Sequence, residues 1–463
     1  MASRPAAGSI DSPQAKLRPY GRLPDILTRL AFALAAAASA HDAAGAAMTA
    51  PATAIDMRSA VESALSWHPG IRNAVSTLEQ SGEYVDVARA GYYPQVSAGV
   101  GSEFARRDIA GYDSRSLHRF TVTVSQMLFD FGKVSSAVES AQAQRLAEQG
   151  RVLLTIDDVA RDTALAWIEV ERAQALLEIA GQQAQGVESI AGLVRERHRM
   201  GASPLSDEAQ ARAREEAAQA FELDTDAQLQ RWRNQLQLLT GLHVVPQAGG
   251  AAVVALDGAC RAPDSSQPPQ AVLIAQAEQR AADADARNAR AQTLPTLSLD
   301  GSASRGLDQD SREYGPYDAS IMLNVSAPLY QGGGLQARRR AALRASEAAD
   351  AAVEAARLSA AQALQDARQR AAGQLARTQL LGARVQSIEQ TRDLYRQQYF
   401  DLGTRSLLDL LNAEQEFHLA RQDAANNRYD LERAQVDCLH ADGRLHDVFL
   451  AGAVHPSTQG AAP

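Results

Sequence analysis

Two kinds of hydrophobic spacing alternate along this chain. Apolar residues recur at helical spacing, without any proline, from residue 131 to 200 and again from about 334 to 402. At about 1.5 Å per residue, each stretch predicts a helix about 100 Å long. A heptad seam follows the second stretch, at Leu410, Phe417, Ala424, Leu431, Cys438 and Leu445. Small residues hold most of the intervening seam positions, so neighbouring helices are predicted to pack closely.

Strict alternation replaces the helical spacing in two shorter regions. In the first, Phe120, Val122 and Val124 share one face, and hydroxyl residues occupy the positions between them. The second region repeats this pattern of apolar and small polar positions. The two regions predict β-hairpins at residues 94–128 and 295–328, each with strands of about 11 residues.

A helical pattern also stops at Gly403 and starts again a few residues later. Gly403 suits the left-handed backbone that ends a helix, and Thr404 or Ser406 can cap the next one. A similar turn lies 202 residues earlier at Gly201, and the hairpin sequences recur at an offset of 201 residues. This nearly constant offset indicates the duplication of a module of about 200 residues.

The N-terminal residues 1–40 are predicted to be a cleaved signal peptide. Arg22 and Arg29 precede the apolar run at residues 30–38, which ends in small residues. The other predicted segments are a disordered linker at 41–55, a first repeat at 56–241 that opens with one helix to about residue 90, an inter-repeat linker at 242–268, a second repeat at 269–446 and a flexible tail at 447–463.

Charge and cysteine content narrow the possible functions. The net charge is -9, and loss of five basic and two acidic residues with the signal peptide makes it -12, so nucleic acid is not an expected partner. The two cysteines are Cys260, in a linker rich in proline and glycine, and Cys438, on the heptad seam. Neither a disulfide framework nor a metal site is predicted, and Cys438 is interpreted as a core residue.

Catalytic motifs are missing from the sequence. It contains no metalloprotease, nucleophile-elbow or Walker motif. The glycines at 332–334 precede three arginines at 338–340 but lack the Lys-Ser/Thr ending of a phosphate loop, so a strand-to-helix corner explains them better. The protein is predicted not to be an enzyme, with no catalytic, cofactor-binding or metal-binding residues.

The predicted hairpins have the length and pattern of membrane strands. They end in aromatic residues such as Tyr93, Phe129 and Tyr330, as strands that cross an outer membrane do. An isolated hairpin is unstable in water, and four strands are too few to close a barrel. Outer-membrane lipid and further copies of the chain are therefore the predicted partners of these strands.

Four sequence stretches resemble the TolC-like outer-membrane factors, the exit ducts of Gram-negative efflux pumps and type I secretion systems. They are residues 88–94, residues 124–132 with their twin at 327–333, residues 237–241 and residues 403–414. The resemblance implies a mostly α fold with a membrane β-barrel. Each chain would contribute four strands to a twelve-stranded barrel in a homotrimer. Antiparallel coiled-coil helices would form a periplasmic tunnel, closed until an inner-membrane transporter and its adaptor, a membrane fusion protein, engage it.

The resemblance also implies a gate at the helical tips, next to Gly201 and Gly403. A lock would join Phe400 and Arg405 of the second repeat to Ser206 and Asp207 of the first. The family has a tyrosine where this chain has Phe400, so Arg405 with Asp207 is the principal expected contact. A constriction ring would be formed by Asp409 and by Asn412, which replaces an aspartate of the family pattern.

Three functions remain open at this level. Because many drug-efflux ducts are lipoproteins and this chain has no N-terminal cysteine to lipidate, type I secretion of a large toxin-like polypeptide is preferred. The first alternative is the outer-membrane component of a tripartite multidrug efflux pump with small-molecule cargo. The second is a periplasmic coiled-coil adaptor or structural protein, which would share the helical hairpins but not the β-hairpins.

Overall fold

A computed structural model describes residues 54–105, 115–243, 246–249, 256, 258–261, 268–307 and 317–450. The predicted signal peptide, residues 106–114 of the first hairpin loop and most of the predicted tail lie outside these residues. The elements in chain order are β1 (Ala54–Ile55), α1 (Met57–Trp67), α2 (Pro69–Arg89), β2 (Gln95–Ala105), β3 (Arg115–Phe129), α3 (Lys133–Arg199), α4 (Leu205–Thr240), β4 (Gln247–Ala248), α5 (Gln270–Ala291), β5 (Thr296–Gly306), β6 (Asp318–Ser326), α6 (Gly334–Phe400), α7 (Leu407–Ala441) and α8 (Leu445–Leu450).

Two helices of 67 residues, α3 and α6, occupy the proline-free stretches. Each follows a strand through a left-handed corner. Phe131 and Gly132 have φ angles of 56° and 92°, and their counterparts Gly332 and Gly333 have 58° and 79°. The two repeats therefore share this backbone conformation. Phe131 adopts the left-handed conformation that glycine, at Gly332, adopts in the second repeat.

The two repeats pack through long helical contacts. Helix α3 packs against α4, α5 and α7, and α6 packs against α5 and α7. Ion pairs join α3 of the first repeat to α7 of the second at Arg161–Asp437, Arg172–Asp430 and Glu169–Arg433. Helix α3 buries residues along most of its length, whereas the buried residues of α6 are Val353, Ala367, Ala371 and Tyr399. Most of α6 is thus exposed in the single chain.

Four strands form one antiparallel sheet in the order β2-β3-β5-β6. The pairing of β3 with β5 joins the two hairpins, with Val124 opposite Gly301 and an irregularity between Met127 and Phe129. The sheet is open in the single chain, with β2 and β6 at its edges. Among the described residues, no helix is long and apolar enough to cross a membrane.

The predicted single helix at 56–90 is instead two helices, α1 and α2. Residue His68 has ψ near 126° because the following proline disfavours helical backbone in the residue before it. Pro69 then occupies the first position of α2, and the His68 ring nitrogen Nδ1 accepts a hydrogen bond from the Gly70 N–H at 3.2 Å. His68 therefore caps the N-terminus of α2.

Parts of the two predicted linkers are ordered. Strand β1, inside the linker predicted at 41–55, pairs in parallel with β4, inside the linker predicted at 242–268. The Trp167 indole donates to the Ile55 carbonyl at 2.8 Å, and the Gln174 side chain bonds both backbone groups of Ala248, at 3.0 and 3.2 Å. Side chains of α3 therefore hold β1 and β4 in place. Each strand has only two residues, too few to show an alternating hydrophobic pattern in the sequence.

The end of the second repeat also departs from the predicted boundary. Helix α8 runs to Leu450, beyond the predicted boundary at residue 446 and into the predicted tail. Its Leu445 and Phe449 are fully buried, and Arg58 of α1 donates to the Phe449 carbonyl at 3.1 Å. The first part of the predicted tail is thus docked onto the N-terminal helix.

A disulfide corrects the interpretation of the cysteines. Cys260 is bonded to Cys438 of α7, with 5.3 Å between their Cα atoms, although 178 residues separate them in sequence. The inter-repeat linker folds back onto α7 and brings the two thiols together. Cys438 is buried, as a core residue would be, but the prediction of no disulfide was wrong, and with it the interpretation of Cys438 as a plain core residue.

Candidate functional site

Two glycine turns end the helical hairpins at one end of the molecule. Gly201 and Gly403 have φ angles of 74° and 64°, the left-handed conformation expected at both tips. At the second tip, the Ser406 side chain accepts a hydrogen bond from the Asp409 N–H at 3.1 Å, so Ser406 rather than Thr404 caps α7. At the first tip, the cap residue Pro204 offers no side-chain acceptor, and Asp207 lies in the first turn of α4.

An apolar cluster joins the two tips. It draws residues from α3, α4, α6 and α7. Its buried members are Ile190, Ala191, Val194, Ala211, Tyr399, Leu407, Leu410 and Leu411. Phe400 and Tyr395 pack against its edge. The turn predicted to carry the lock therefore rests on apolar contacts between the repeats.

Arg405 is held by groups of its own repeat in this chain. Its Nε donates to Gln398 Oε1 at 2.9 Å, and its Nη1 lies 3.9 Å from Asp409 Oδ2. Its guanidinium also stacks over the Tyr395 ring, 4.4 Å from the centroid. The structure thus joins Arg405 to Asp409, two residues given separate roles from the sequence. The pairing of Arg405 with Asp207, or with Ser206, stays a prediction.

The aromatic residue at position 400 has a neighbour that the sequence reasoning missed. Phe400 meets Tyr399 edge to face, with 4.8 Å between ring centroids. Tyr399 is buried, and its hydroxyl has no hydrogen-bond partner within the described residues. An aromatic hydroxyl is therefore present one position before the one the family pattern indicates, facing the interior of the hairpin.

Asn412 contacts the first repeat through Arg214, which the sequence reasoning also missed. Arg214 Nη2 donates to Asn412 Oδ1 at 3.4 Å, and Nη1 donates to Gln415 Oε1 at 2.7 Å. Asp409 lies one turn closer to the tip, with its side chain 43% exposed. The two predicted ring residues thus have different surroundings, because Asn412 contacts Arg214 of the first repeat whereas Asp409 lies near Arg405 of its own repeat and is partly exposed.

A buried polar cluster lies just behind the tip. Glu414, 5% exposed, bonds His418 Nε2 at 3.1 Å and lies 3.9 Å from Arg392 Nε. Arg392 also stacks on the Phe417 ring at 4.0 Å. A Cβ atom at Gly186 of α3 would lie 2.6 Å from Glu414 Oε1, so glycine leaves the space for this carboxylate. The four-residue spacing of Glu414 and His418 was the available sequence signal.

The chain combines long helical hairpins, a four-stranded sheet and hairpin tips joined by an apolar cluster, and these are features of outer-membrane channel subunits. The family model described as outer membrane efflux protein matches residues 60–242 and 267–444, and the chain belongs to this family. The resemblance drawn from the sequence is therefore confirmed.

Individual relatives place the chain more closely. Protein CyaE of Bordetella pertussis is 27% identical over 315 residues, which cover 65% of each chain and so slightly less than two thirds of CyaE. Outer membrane protein TolC of Vibrio cholerae is 26% identical, covering 82% of this chain and 88% of that protein. This chain is an outer-membrane efflux or secretion channel of the TolC family, and not an enzyme.

Solved structures agree on the fold. A membrane protein from Pseudomonas aeruginosa has a TM-score of 0.75 at 22% identity, covering 83% of this chain and 90% of that one. The outer membrane protein VceC from Vibrio cholerae has a TM-score of 0.73 at 19% identity, covering 84% and 96%. The arrangement of long helices and sheet is therefore shared across distant sequences.

Proposed function

We propose that this protein is the trimeric exit duct of a type I secretion system, carrying a large toxin-like polypeptide across the outer membrane. The observation that carries the proposal is the open four-stranded sheet, which has one apolar and one polar face and continues into helices of 67 residues. The sheet serves as one third of a membrane barrel, and the helices form one third of a tunnel in the periplasm.

The trimer follows from the sheet edges. Strands β2 and β6 each leave one edge unpaired in the single chain. Unpaired backbone groups are costly in lipid, so the edges pair with neighbouring copies until the sheet closes. Three copies of four strands give twelve, within the range of membrane barrels. The exposed length of α6 supports the same assembly, because a neighbouring copy would cover it.

The choice of secretion over efflux rests on two observations. CyaE stands among the relatives, and its likeness extends over 65% of this chain. Cys260 and Cys438 both lie in the second half of the chain and are bonded to each other, so neither lies directly after the predicted signal peptide, where a lipid anchor is attached. Multidrug efflux is the second candidate, because the toluene efflux pump outer membrane protein TtgF of Pseudomonas putida is 24% identical over 409 residues.

The tips form the gate in this proposal. In the closed trimer Arg405 would exchange its Asp409 contact for Asp207, and three copies of Asp409 would line the constriction. A cavity of about 230 Å³ behind the tips is lined by α3, α4 and α7, with Val187, Phe221 and Leu411 beside Arg214 and Gln415. A periplasmic adaptor that links the duct to an inner-membrane transporter has a surface of mixed apolar and polar residues to bind there.

The experiment is a reconstitution in a Gram-negative host that lacks its own exit duct. The neighbouring genes are sequenced, a transporter and adaptor found among them are co-expressed with the chain, and the medium is searched for polypeptides by mass spectrometry. Drug susceptibility is measured in the same strains. Detergent extracts should show a heat-sensitive trimer. The matched control is Val124→Asp, which places a charge on the apolar strand face and is expected to block insertion.

A polypeptide released only with the intact chain supports secretion. Drug resistance without a released polypeptide would assign the chain to efflux. A stable monomer with intact β-structure would contradict the duct itself.

A further inference from the structure

The two faces of the sheet differ in chemistry across all four strands. The register places apolar residues on one face, at Val96, Val100, Phe120, Val124, Leu297, Leu299, Ile321, Leu323 and Val325. The other face is mostly small and polar, with the apolar exceptions Met322, opposite Asp300, and Met127; its polar residues are Ser97, Thr121, Thr123, Ser125, Ser298, Ser302, Ser304, Ser320 and Asn324. In the closed barrel of the proposed function, the apolar face meets lipid and the polar face lines the pore.

Asp300 is a carboxylate in the middle of the polar face. Ser125 Oγ of β3 donates to its Oδ1 at 2.6 Å, and Ser298 Oγ of the same strand donates to its Oδ2 at 3.0 Å. Hydroxyl donors from β5 and the adjacent strand β3 thus hold the carboxylate in place as an acceptor.

The basic residues of this face lie far from Asp300. Arg119 is opposite Gly306, six residues along β3 from Ser125 and therefore about 20 Å away. Lys133, at the start of α3, donates to Thr296 Oγ1 at 2.6 Å. Thr296 lies four residues along β5 from Asp300, which is about 13 Å. The described hydrogen-bond partners of Asp300 are the neutral hydroxyl groups of Ser125 and Ser298, so no neighbouring cation among them neutralises its negative charge.

We infer that Asp300 is a second charge-selecting residue of the channel, set in the barrel and separate from the constriction at the tips. This inference rests on the proposed trimeric duct, in which three copies of Asp300 form a ring of carboxylates at one level of the pore. The ring attracts hydrated cations and repels anions that pass the barrel.

The position of Asp300 separates its effect from that of Asp409. Asp300 precedes α6 and Asp409 follows it, and 67 helical residues span about 100 Å. The Debye length is about 8 Å at physiological ionic strength and about 30 Å at 0.01 M salt. The two rings therefore act independently, and the wide barrel ring selects ions mainly at low salt.

The test measures reversal potentials of the full-length trimer in planar bilayers, under a gradient of potassium chloride at concentrations of about 0.01 M. Three proteins are compared: Asp409→Asn, Asp300→Asn with Asp409→Asn, and Asp300→Glu with Asp409→Asn. The first removes the constriction charge, so the remaining selectivity comes from the rest of the pore. The third keeps a carboxylate at position 300 but changes its hydrogen bonds.

Asp300→Asn is expected to lower the potassium-to-chloride permeability ratio of the Asp409→Asn channel by about twofold or more at low salt. Asp300→Glu should retain the ratio. The differences in permeability ratio among the three proteins should vanish at about 1 M salt, where the Debye length is about 3 Å. An unchanged ratio in a channel that forms and conducts would overturn the role of Asp300 alone. Failure of the unsubstituted chain to form trimers or channels would overturn the proposed function and this inference with it.

Discussion

Gly186 shows how one missing methyl group shapes the gate region. A Cβ atom there would lie 2.6 Å from the carboxylate of Glu414, which is 5% exposed and held by His418 and Arg392. The nearest atom belongs to a buried ion cluster that cannot swing into solvent, so the clash cannot be relieved cheaply. Glycine in mid-helix ordinarily lowers helix stability, and its presence here reflects this contact.

Gly186→Ala is therefore expected to destabilise the protein by about 1 to 3 kcal/mol, as overpacking against a buried polar cluster does. The matched control is Gly192→Ala in the same helix, where an added Cβ would meet only the end of the Arg195 side chain, at 3.9 Å. The control should be neutral or more stable by up to about 1 kcal/mol. Thermal unfolding of the detergent-solubilised proteins measures both. Equal effects of the two substitutions would show that Gly186 makes no specific contact.

His446 links stability to pH at the start of α8. Burial alone would lower the pKa of the His446 imidazole, but the hydrogen bond and charge of Asp157 outweigh it and raise the pKa above its usual value. Its Nδ1 lies 3.0 Å from Asp157 Oδ1. Because the folded pKa is raised, the stabilisation is fully present below the unfolded value of about 6.5 and is lost as pH rises through the folded pKa.

The prediction is that α8 undocks more readily at pH 8 than at pH 5.5. Limited proteolysis near residue 445 measures this, with His446→Gln as the comparison. The substituted protein should lose most of the pH dependence between these two values. Retention of the full dependence in His446→Gln would assign the pH dependence to other groups.

At the scale of elements, the inter-repeat linker is fastened to α7 by the Cys260–Cys438 disulfide. The short helical turn Ala259–Arg261 that carries Cys260 contacts both α6 and α7. Cross-linking restricts the unfolded chain, and disulfides of this kind typically contribute about 2 to 4 kcal/mol. The bond also requires an oxidising compartment, which agrees with an exported protein.

Cys260→Ser with Cys438→Ser is expected to lower the free energy of unfolding by about 2 to 4 kcal/mol. The intact protein should lose a similar amount on reduction, and the doubly substituted protein should not respond to reductant. Thermal unfolding with and without dithiothreitol measures the difference, and thiol labelling of the unfolded protein checks the bond. Two free thiols in protein isolated without reductant would contradict the disulfide.

At the scale of the whole molecule, the closed state depends on contacts between tips. Arg405 is within reach of Asp409 in the single chain, while the proposed lock requires Asp207. An exposed ion pair contributes about 0 to 1 kcal/mol, so three copies acting on one opening contribute about 0 to 3 kcal/mol. The upper half of this range changes the open fraction by about tenfold or more.

Arg405→Ser should therefore raise the conductance in planar bilayers and the sensitivity of cells to large antibiotics. The exchange of charges, Arg405→Asp with Asp207→Arg, should restore closure in part. Rescue is incomplete because the carboxylate introduced at position 405 repels Asp409 one turn away, at a cost of a few tenths of a kcal/mol. A closed single variant, or no rescue in a trimer that still inserts, would place the lock elsewhere.

Local features of the sequence determined much of the architecture. The helical period of 131–200 and 334–402 and the alternation around Phe120 depend on neighbours a few residues apart, so the pattern itself predicts helices and strands. The left-handed turns at Gly201 and Gly403 were predictable for the same reason, since few residues other than glycine adopt that backbone easily. The nearly constant offset between similar sequence stretches also predicted that the two halves of the chain are repeats of one module.

Tertiary structure alone decided which distant side chains meet. Arg214 and Asn412, Gly186 and Glu414, and Cys260 and Cys438 are each separated by more than 170 residues. Periodicity says which face of a helix is buried but not which helix covers it or at what level, because that depends on how two long helices align along their whole length. The surroundings of the predicted gate residues were therefore fixed by packing between the repeats, which no local pattern encodes.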